Sequence, residues 1–274
     1  EGSEKIFSLD PNTHIPEWVK YNKFIAYEYS GEMIEFKSNS FDLLVTPDHQ
    51  MYAGFNSHKG DDKTVNWKLE DAEKCIDHNF RQIRAVEWEG EKKENQFNFD
   101  NKSFARLLGY YISEGYTERS QKHDRVIISQ KANSDRSDKM YLDLKKIGFR
   151  RSKERIYKTD SKLTDYFEQF GHSYEKYLPD WIMENTSEVI EVFLDAFRLG
   201  DGSERITTHK DKDFESTEKT YFTSSKKLAD QLGELIIKAG YYPSFHLRKD
   251  KGTIVEHQNG VYKGNHNIWI IRQN

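Results

Sequence analysis

Apolar residues recur with the spacing of a helix in two separate stretches of the chain. They stand at positions 104, 107, 108, 111 and 112 in the first stretch, and at 189, 190, 193, 194 and 197 in the second. Each pattern predicts a helix with one buried stripe. Small residues lie four apart in both, Gly109 with Ser113 and Ala196 with Gly200. Because small side chains let two helix backbones approach closely, we expect the helices to pack together along these positions.

Each stretch closes with an acidic residue followed by glycine, Glu114-Gly115 and Asp201-Gly202. A glycine just past the last turn is the expected C-cap, whereas the helix dipole disfavours a carboxylate at this end. One apolar helix with such an end is most often plain core. Two in register would bring both acids to the same end of a helix pair, and paired carboxylates of this kind predict a divalent-cation site.

The chain after each acid repeats one order of elements. Strands are predicted around 125–131 and 155–158, with a helix at 134–147 between them, and again at 220–225, 245–247 and 266–271, with a helix at 226–239. The two acids lie 87 positions apart, and the glycines that end the later helices, Gly148 and Gly240, lie 92 apart. This agreement predicts duplication of an α-β-β-α-β-β unit.

The first 95 residues have a different pattern of short strands and turns. Apolar positions alternate from Ile34 to Val45, with turn signals at Ser30-Gly31 and Pro47-Asp48. The charge-dense stretch from Glu87 to Gln96 is a predicted linker. We therefore expect an α+β chain with a mostly β domain at 1–95 and two similar subdomains at 96–186 and 187–274.

Composition and charge narrow the class of protein. The 274 residues are 32% charged and 14% aromatic. The aromatic side chains supply enough apolar surface for a core. No run approaches the roughly 18 to 20 apolar residues of a membrane helix, the first residues, Glu-Gly-Ser-Glu-Lys, do not have the pattern of a signal peptide, and a single cysteine, Cys75, excludes an internal disulfide. An intracellular protein with no membrane partner is therefore expected.

The net charge of −4 is unevenly distributed along the chain. Residues 1–100 carry 12 basic and 20 acidic side chains, which leaves 30 basic and 26 acidic for residues 101–274. Solvation alone accounts for such an asymmetry about as often as function does. The basic part is nevertheless the part with the paired acids, as a nucleic-acid partner would require.

The two stretches Leu107–Gly115 and Leu194–Gly202, here called the motifs, resemble those of the LAGLIDADG (dodecapeptide) homing endonucleases in their single-chain form. The name-giving letters differ in both motifs, but the small pairs and the acid-glycine ends are kept. The resemblance implies two pseudo-symmetric αββαββ subdomains packed through the motif helices. It also implies a monomer that makes double-strand breaks at a long asymmetric DNA site by metal-dependent phosphodiester hydrolysis. Glu114 and Asp201 would then bind catalytic Mg²⁺, with Mn²⁺ as a substitute.

The same family places a catalytic lysine in each half. Lys176, in Glu-Lys-Tyr-Leu-Pro, matches a block that precedes the second motif in intein-associated members. It follows Glu114 by 62 positions, and the same step from Asp201 reaches Lys263. An exposed turn lysine is the plain alternative for Lys263.

Twisted strands outside the helix pair would form two saddles that lie along a DNA groove. Basic residues on these strands are candidate DNA contacts, although each taken singly is more often a plain surface charge. They are Arg125, Lys131, Arg150, Arg151, Lys153, Arg155, Lys158, Arg205, Arg248, Lys249 and Lys251.

Thr46 and His49 resemble the Thr-x-x-His block of intein (Hint-type) splicing domains, in which the pair polarises the N-terminal splice junction. A hydrogen-bonded turn is an equally good explanation. Splicing also needs a nucleophile at position 1 and a final His-Asn pair, where this chain has Glu1 and Gln273-Asn274. We therefore do not expect the chain to splice as it stands. Two alternatives to an active nuclease remain open, a maturase-like protein that binds DNA or RNA without cutting and the remnant of a protein-splicing intein.

Overall fold

The computed structural model describes residues 5–39, 41–56, 65–83, 86–131, 134–209, 214–257 and 260–274. The chain is α+β and divides into two compact units, Glu1–Glu87 and Trp88–Asn274. The division falls several residues before the boundary at 95 that the sequence predicted. No helix among the described residues is long and apolar enough to cross a membrane.

The first unit consists of small antiparallel sheets, as the sequence predicted for a mostly β region. Its strands are β1 (Lys5–Leu9), β2 (Pro16–Lys20), β3 (Ile34–Ser38), β4 (Phe41–Val45), β5 (Gln50–Asn56), β6 (Val65–Asp71) and β7 (Phe80–Arg81). Strand β1 pairs with β2, β3 with β4, and β5 with both β6 and β7. Val45, Met51, Ala72 and Cys75 form its buried core.

The first half of the second unit begins with a motif helix. Its elements are α1 (Asn101–Glu114), β8 (Gly115–Arg119), β9 (Asp124–Ser129), α2 (Asp135–Lys145), β10 (Arg150–Ser152), β11 (Arg155–Thr159), α3 (Ser161–Glu168) and α4 (Asp180–Met183). Asp100 caps α1 by accepting a hydrogen bond from the Ser103 backbone N–H at 2.9 Å. The strands form one sheet in the order β10-β11-β9-β8.

The second half repeats the order from α1 to β11 with one insertion. Its elements are α5 (Ser187–Asp201), β12 (Gly202–His209), β13 (Phe214–Thr223), α6 (Lys226–Lys238), β14 (Pro243–Lys249), β15 (Ile254–His257), β16 (Gly260–Lys263) and β17 (Ile268–Gln273). The main sheet has the order β12-β13-β17-β14, so β17 takes the place that β11 has in the first half. The β15–β16 hairpin is inserted between β14 and β17.

Helices α1 and α5 pack directly against each other at the predicted small residues. A methyl group added at Gly109 would lie 2.7 Å from Cβ of Ala196 and 2.8 Å from the carbonyl oxygen of Phe193. One added at Gly200 would lie 2.1 Å from Oγ of Ser113. The two backbones are therefore in contact only because these positions lack larger side chains. The apolar stripes of both helices are buried in one continuous core.

The glycines after the motif acids have a different role from the one the sequence indicated. Gly115 and Gly202 follow their helices in extended conformations, with φ of −96° and −160°, rather than in the left-handed region. Each is the first residue of a strand, and the chain turns back over the helix end without a loop. A Cβ at Gly115 would lie 2.5 Å from Cα of Tyr111, and one at Gly202 would lie 2.5 Å from the carbonyl oxygen of Thr220. Space, not a positive φ, requires glycine here.

The predicted linker at 87–96 is held against the second unit. The indole of Trp88 donates a 2.9 Å hydrogen bond to the carbonyl oxygen of Asn185. The carbonyl oxygen of Lys93 accepts hydrogen bonds from the side chains of Asn101, Trp181 and Asn185 at 2.9–3.1 Å. The high charge density that suggested a linker comes from side chains on the outer face of this segment, whereas its backbone carries the contacts.

Candidate active site

The motif acids come together where α1 and α5 end. Glu114 is the last residue of α1 and Asp201 the last of α5, and both are half-buried. A Cβ added at Gly200 of α5 would lie 2.9 Å from Cγ of Glu114, which is too close for an ordinary contact. The glycine thus gives the Glu114 side chain room beside the neighbouring acid.

Burial makes both carboxylates unusually hard to ionise. Burial raises the pKa of Asp201 from its ordinary 3.8 to about 6, the negative charge of Glu114 adds to this, and Lys176 opposes it. The pKa of Glu114 is also raised by burial, while the hydrogen bond from Gln130 and the charges of Lys176 and Arg136 act in the opposite direction. Two partly desolvated acids, of which Glu114 raises the pKa of Asp201, form a region of strong negative potential when ionised.

Lys176 is buried beside the two acids, with only 5% of its surface exposed. Its ammonium donates hydrogen bonds to the carbonyl oxygens of Tyr111 at 2.8 Å and Gly115 at 3.0 Å. Burial lowers the pKa of Lys176 from 10.5 to about 8, although Asp201 and Glu114 act to raise it. The lysine therefore stands at the negative end of the first motif helix.

Two further polar side chains, which the sequence analysis did not identify, reach the site. Gln130, just past the end of β9, donates a 2.7 Å hydrogen bond to Oε1 of Glu114. Arg136, in the first turn of α2, donates to the carbonyl oxygens of Gly200 at 3.4 Å and Gly202 at 3.3 Å. It thus lies at the end of the second motif helix, as Lys176 lies at the end of the first.

The donor set fits a cation that completes its coordination with water or phosphate oxygens. No group of three or more His, Cys, Asp or Glu side chains suited to a metal ion occurs in the described part of the chain. Glu114 and Asp201 would be the protein ligands, because a cation beside two carboxylates offsets the cost that burial adds to their ionisation. Magnesium has this preference, since it usually binds one or two carboxylates and keeps several waters.

Lys263 lies in the inserted hairpin of the second half. It ends β16, pairs with Ile254 across the inserted hairpin, and is exposed. It precedes β17, whereas Lys176 follows β11, the strand that corresponds to β17. The equal spacing of 62 residues therefore does not place the two lysines at equivalent points of the two halves.

The sheet faces that point away from the helices carry most of the candidate DNA contacts. In the first sheet, Val126, Ile128 and Ile156 pack into the helical core, so by alternation the opposite face carries Arg125, Arg150 and Arg155. Lys131 and Lys153 are exposed beside this sheet. Arg125 lies over the ring of Tyr157 at 4.9 Å, and Arg155 pairs with Glu118 at 3.1 Å.

Arg151 and Lys158 lie on the helix-facing side of the first sheet instead. The Arg151 guanidinium binds Asp138 at 2.6 Å and Ser137 at 3.1 Å on α2. The Lys158 ammonium donates to the carbonyl oxygen of Ile147 at 3.0 Å. Strand alternation explains the difference, because a shift of one residue moves a side chain to the other face.

In the second sheet, Tyr221, Ile271 and Phe245 face the helices. The opposite face carries Arg205, which is exposed, and Lys249, which pairs with Ile268. Arg248 lies in a bulge of β14 and is 5.2 Å from the ring of Phe222 on this same face. Lys251 is exposed just beyond the strand.

Thr46 and His49 lie in the turn between β4 and β5. The Thr46 hydroxyl donates to Oδ1 of Asp48 at 2.6 Å, and the His49 backbone N–H donates to the carbonyl oxygen of Thr46 at 3.1 Å. The His49 side chain is exposed. This is the hydrogen-bonded turn that the sequence left open as one of two explanations.

The chain is similar to two curated proteins with different names. It is 24% identical over 302 residues to the ATP-dependent Clp protease proteolytic subunit of Chlamydomonas moewusii, an alignment that covers 98% of this chain and 29% of that protein. It is 22% identical over 299 residues to the DNA-directed RNA polymerase subunit beta C-terminal section of Stigeoclonium helveticum, covering 89% of this chain and 27% of that protein. The chain thus spans less than a third of either relative. No family model matches it.

Solved structures with some likeness to the chain are homing endonucleases. A variant of I-DmoI bound to its target DNA in the presence of magnesium has a TM-score of 0.39 and 16% identity, covering 64% of this chain and 89% of that one. The LAGLIDADG homing endonuclease I-GzeII bound to its DNA target has a TM-score of 0.34 and 12% identity, covering 62% and 78%. At these values the likeness carries no functional conclusion.

Proposed function

We propose that the second unit is a LAGLIDADG-type homing endonuclease that cleaves both strands of a DNA duplex by metal-dependent phosphodiester hydrolysis. The observation that carries this proposal is the meeting of Glu114, Asp201 and Lys176 at the ends of two closely packed helices. A purely structural helix pair has no need of two half-buried acids whose pKa values are raised by burial. Such perturbed groups are characteristic of functional sites.

The chemistry requires an activated water and neutralisation of charge on the phosphate. A divalent cation at this position would lower the pKa of a bound water and offset the negative charge that develops on the phosphate. Glu114 and Asp201 would hold that cation, and Gln130 fixes one oxygen of Glu114 through its 2.7 Å hydrogen bond. Magnesium is the expected ion, with manganese as a substitute.

Lys176 supplies a positive charge that the protein has already positioned. An ammonium has three N–H donors, and the carbonyl oxygens of Tyr111 and Gly115 take two of them. The third is left for a phosphate oxygen. With a pKa near 8, the group is also able to exchange a proton with the reacting water near neutral pH.

DNA would bind across the helix-free faces of the two sheets. These faces carry Arg125, Arg150 and Arg155 in the first sheet and Arg205 and Arg248 in the second. Their charges would contact phosphates and bases of a long duplex site. Both motifs occur in one chain, so we propose that the protein acts as a monomer. Arg151 and Lys158 are not part of this proposal because they face the helices.

Cleavage of a plasmid library that carries random inserts tests the nuclease proposal. We expect cutting at one long site with Mg²⁺ and none with EDTA. Glu114→Gln and Asp201→Asn should each abolish cutting and leave DNA affinity within about threefold, since they remove charge without changing shape. Full activity of either variant contradicts the metal-ligand assignment. Binding of the library without cutting would favour a maturase-like protein.

We further propose that the chain is carried as an insertion within a host protein, as an intein is. A protease subunit and a polymerase subunit have different activities, so a region similar in both is expected to be separate from either activity. In each relative, the similar region aligns with nearly all of this chain. In this proposal the first unit descends from a splicing domain, with Thr46 and His49 at its former junction site.

The coding sequence on both sides of the chain tests the insertion proposal. RNA sequencing should show one reading frame that continues, before and after the chain, into two parts of a single host protein. A frame that stops at both ends contradicts it. Where the flanks supply a nucleophile and a His-Asn pair, Thr46→Ala and His49→Ala should slow release of the joined host.

A further inference from the structure

The segment that carries Lys176 belongs in sequence to the first half of the unit, but it is also bonded directly to the second half. The Ser225 hydroxyl donates a 2.7 Å hydrogen bond to the carbonyl oxygen of Lys176 itself. Gln231 binds both backbone groups of Leu178, accepting from its N–H at 2.7 Å and donating to its carbonyl oxygen at 2.9 Å. Both Ser225 and Gln231 belong to α6 or its cap.

Two ring contacts extend this attachment along the same segment. The ring of Tyr174 stacks on His266 with centroids 4.1 Å apart and planes 9° apart. The ammonium of Lys227 lies 4.4 Å from the ring centre of Tyr177. Residues Tyr174–Leu178, here called the strap, are therefore held by the second half at four of their five positions.

Ser225 performs two functions with one buried hydroxyl group. As the N-cap of α6, its oxygen accepts the Leu228 backbone N–H at 3.2 Å. Its hydrogen is then directed to the Lys176 carbonyl oxygen. Only 2% of Ser225 is exposed, so water does not substitute easily for either bond.

The opposite end of Lys176 binds the first half. Its ammonium contacts the carbonyl oxygens at the end of α1, so the lysine bridges α6 and the first motif helix. A lysine side chain is a flexible four-carbon stem. Its ammonium is held in one place only if its backbone is fixed. Here the Lys176 N–H donates to the carbonyl oxygen of His172 in the first half at 3.1 Å, and Ser225 of the second half binds the Lys176 carbonyl oxygen.

We propose that Ser225 and Gln231 are positioning residues that hold the Lys176 ammonium at the reaction centre. This inference rests on the proposed nuclease function. Because these residues belong to one half and the ammonium binds the other, the lysine is placed correctly only when both halves are docked. Loss of either residue should therefore lower the rate of the chemical step without changing DNA affinity.

The test combines cleavage kinetics with a readout that does not depend on cleavage. Ser225→Ala and Gln231→Leu should lower the single-turnover cleavage rate by about tenfold or more, because small displacements of a catalytic group are costly. The DNA dissociation constant should stay within about twofold of wild type. Ser225→Thr keeps both the cap oxygen and the donor, and should restore most of the rate.

Reductive methylation of lysines, read by mass spectrometry, reports the position of Lys176 directly. In wild type the buried Lys176 should react slowly, with Lys226, whose side chain is 58% exposed, as the internal standard. In both variants the labelling of Lys176 relative to Lys226 should rise several-fold. Asp160→Ala is the control. It removes the side chain that caps α3 by accepting a 3.1 Å hydrogen bond from the Leu163 N–H, and this hydrogen bond does not involve the strap.

The outcomes separate this inference from the nuclease proposal. Unchanged Lys176 labelling in Ser225→Ala and Gln231→Leu overturns the positioning role, whatever the cleavage rates. So does a rate loss in Asp160→Ala equal to theirs, because stability alone would then explain it. If wild type cuts no DNA, the nuclease proposal fails, and the labelling result still decides whether the strap positions the lysine.

Discussion

Asp201→Asn should stabilise the metal-free protein at pH 7.5. Asp201 has a pKa of about 6 in the folded chain against an ordinary 3.8, so the folded state binds its proton more tightly than the unfolded state. Stability from this group is present below about pH 4 and is lost as the pH rises through 6. At pH 7.5 the carboxylate is ionised and its whole cost applies. An amide of the same shape removes that cost.

The size of the effect follows from the shift. A difference of about two pKa units corresponds to about 3 kcal/mol at 1.36 kcal/mol per unit. The pKa of about 6 already includes the attraction to Lys176, and solvent screening of a half-buried group reduces the 3 kcal/mol to about 1–2 kcal/mol. For a unit of this size the melting temperature should rise by roughly 2–8 °C.

Scanning calorimetry in EDTA at pH 7.5 and pH 5 measures the prediction. The gain of Asp201→Asn over wild type should be largest at pH 7.5 and should shrink at pH 5, where wild-type Asp201 is mostly protonated. Asp195→Asn is the control, because Asp195 is on the same helix but is 52% exposed and pairs with Lys219 at 2.8 Å. An Asp201→Asn protein that melts at or below wild type at pH 7.5 refutes the reasoning.

Other substitutions test the remaining parts of the site. Gly200→Ala should lower the free energy of unfolding by about 1–3 kcal/mol in denaturant titrations, because its Cβ would meet the Ser113 hydroxyl; unchanged stability would contradict the close packing. Lys176→Met should lower the cleavage rate by about 100-fold or more with DNA affinity retained, as loss of a preorganised charge does; a normal rate would exclude the lysine from catalysis. Arg205→Ala should reduce the slope of log affinity against log salt by about one, and a slope equal to that of wild type would remove this face from the DNA contact.

Features set by local periodicity could be predicted from the sequence. The apolar stripes of both motif helices, the small residues between them and the acid at each end follow from residues within a few turns of each other. The structure ends α1 at Glu114 and α5 at Asp201, as that pattern predicts. The sequence indicated the helix ends through Gly115 and Gly202. The reason these positions need glycine is the lack of space for a side chain beside Tyr111 and Thr220, and no local pattern reveals that.

Features set by strand register or packing between elements could not be predicted in this way. Gln130 reaches Glu114 because β8 and β9 pair Gly115 with Ile128, which places position 130 beside the helix end. That pairing could have been inferred from the hairpin, and it is the one signal that would have found Gln130. The contact of Arg136 depends on the packing of α2 near the end of α5, and the linear sequence gives no sign of it.

Lys263 shows how an insertion in one half changes the element on which an equal spacing ends. In the first half, β10 runs into β11 through a short turn, but in the second half the β15–β16 hairpin separates β14 from β17. Counting 62 residues from Asp201 therefore ends inside this hairpin. The sequence analysis did not predict helix α3. Its buried Leu163 and Phe167 form an apolar pattern too short to distinguish a helix from a loop.

The segment from Trp88 to Asn95 determines where a shortened protein can begin. Gly90 has a φ of +67° and lies so close to the carbonyl oxygen of Asn185 that any side chain would collide with it. The Trp88 ring lies 4.5 Å from the buried ammonium of Lys238. A fragment that started at Gln96 would expose that lysine and leave the Asn101, Trp181 and Asn185 side chains without their shared acceptor. An isolated fragment should therefore begin at Trp88 or before it to keep these contacts, and a fusion partner or protease site belongs upstream of that residue.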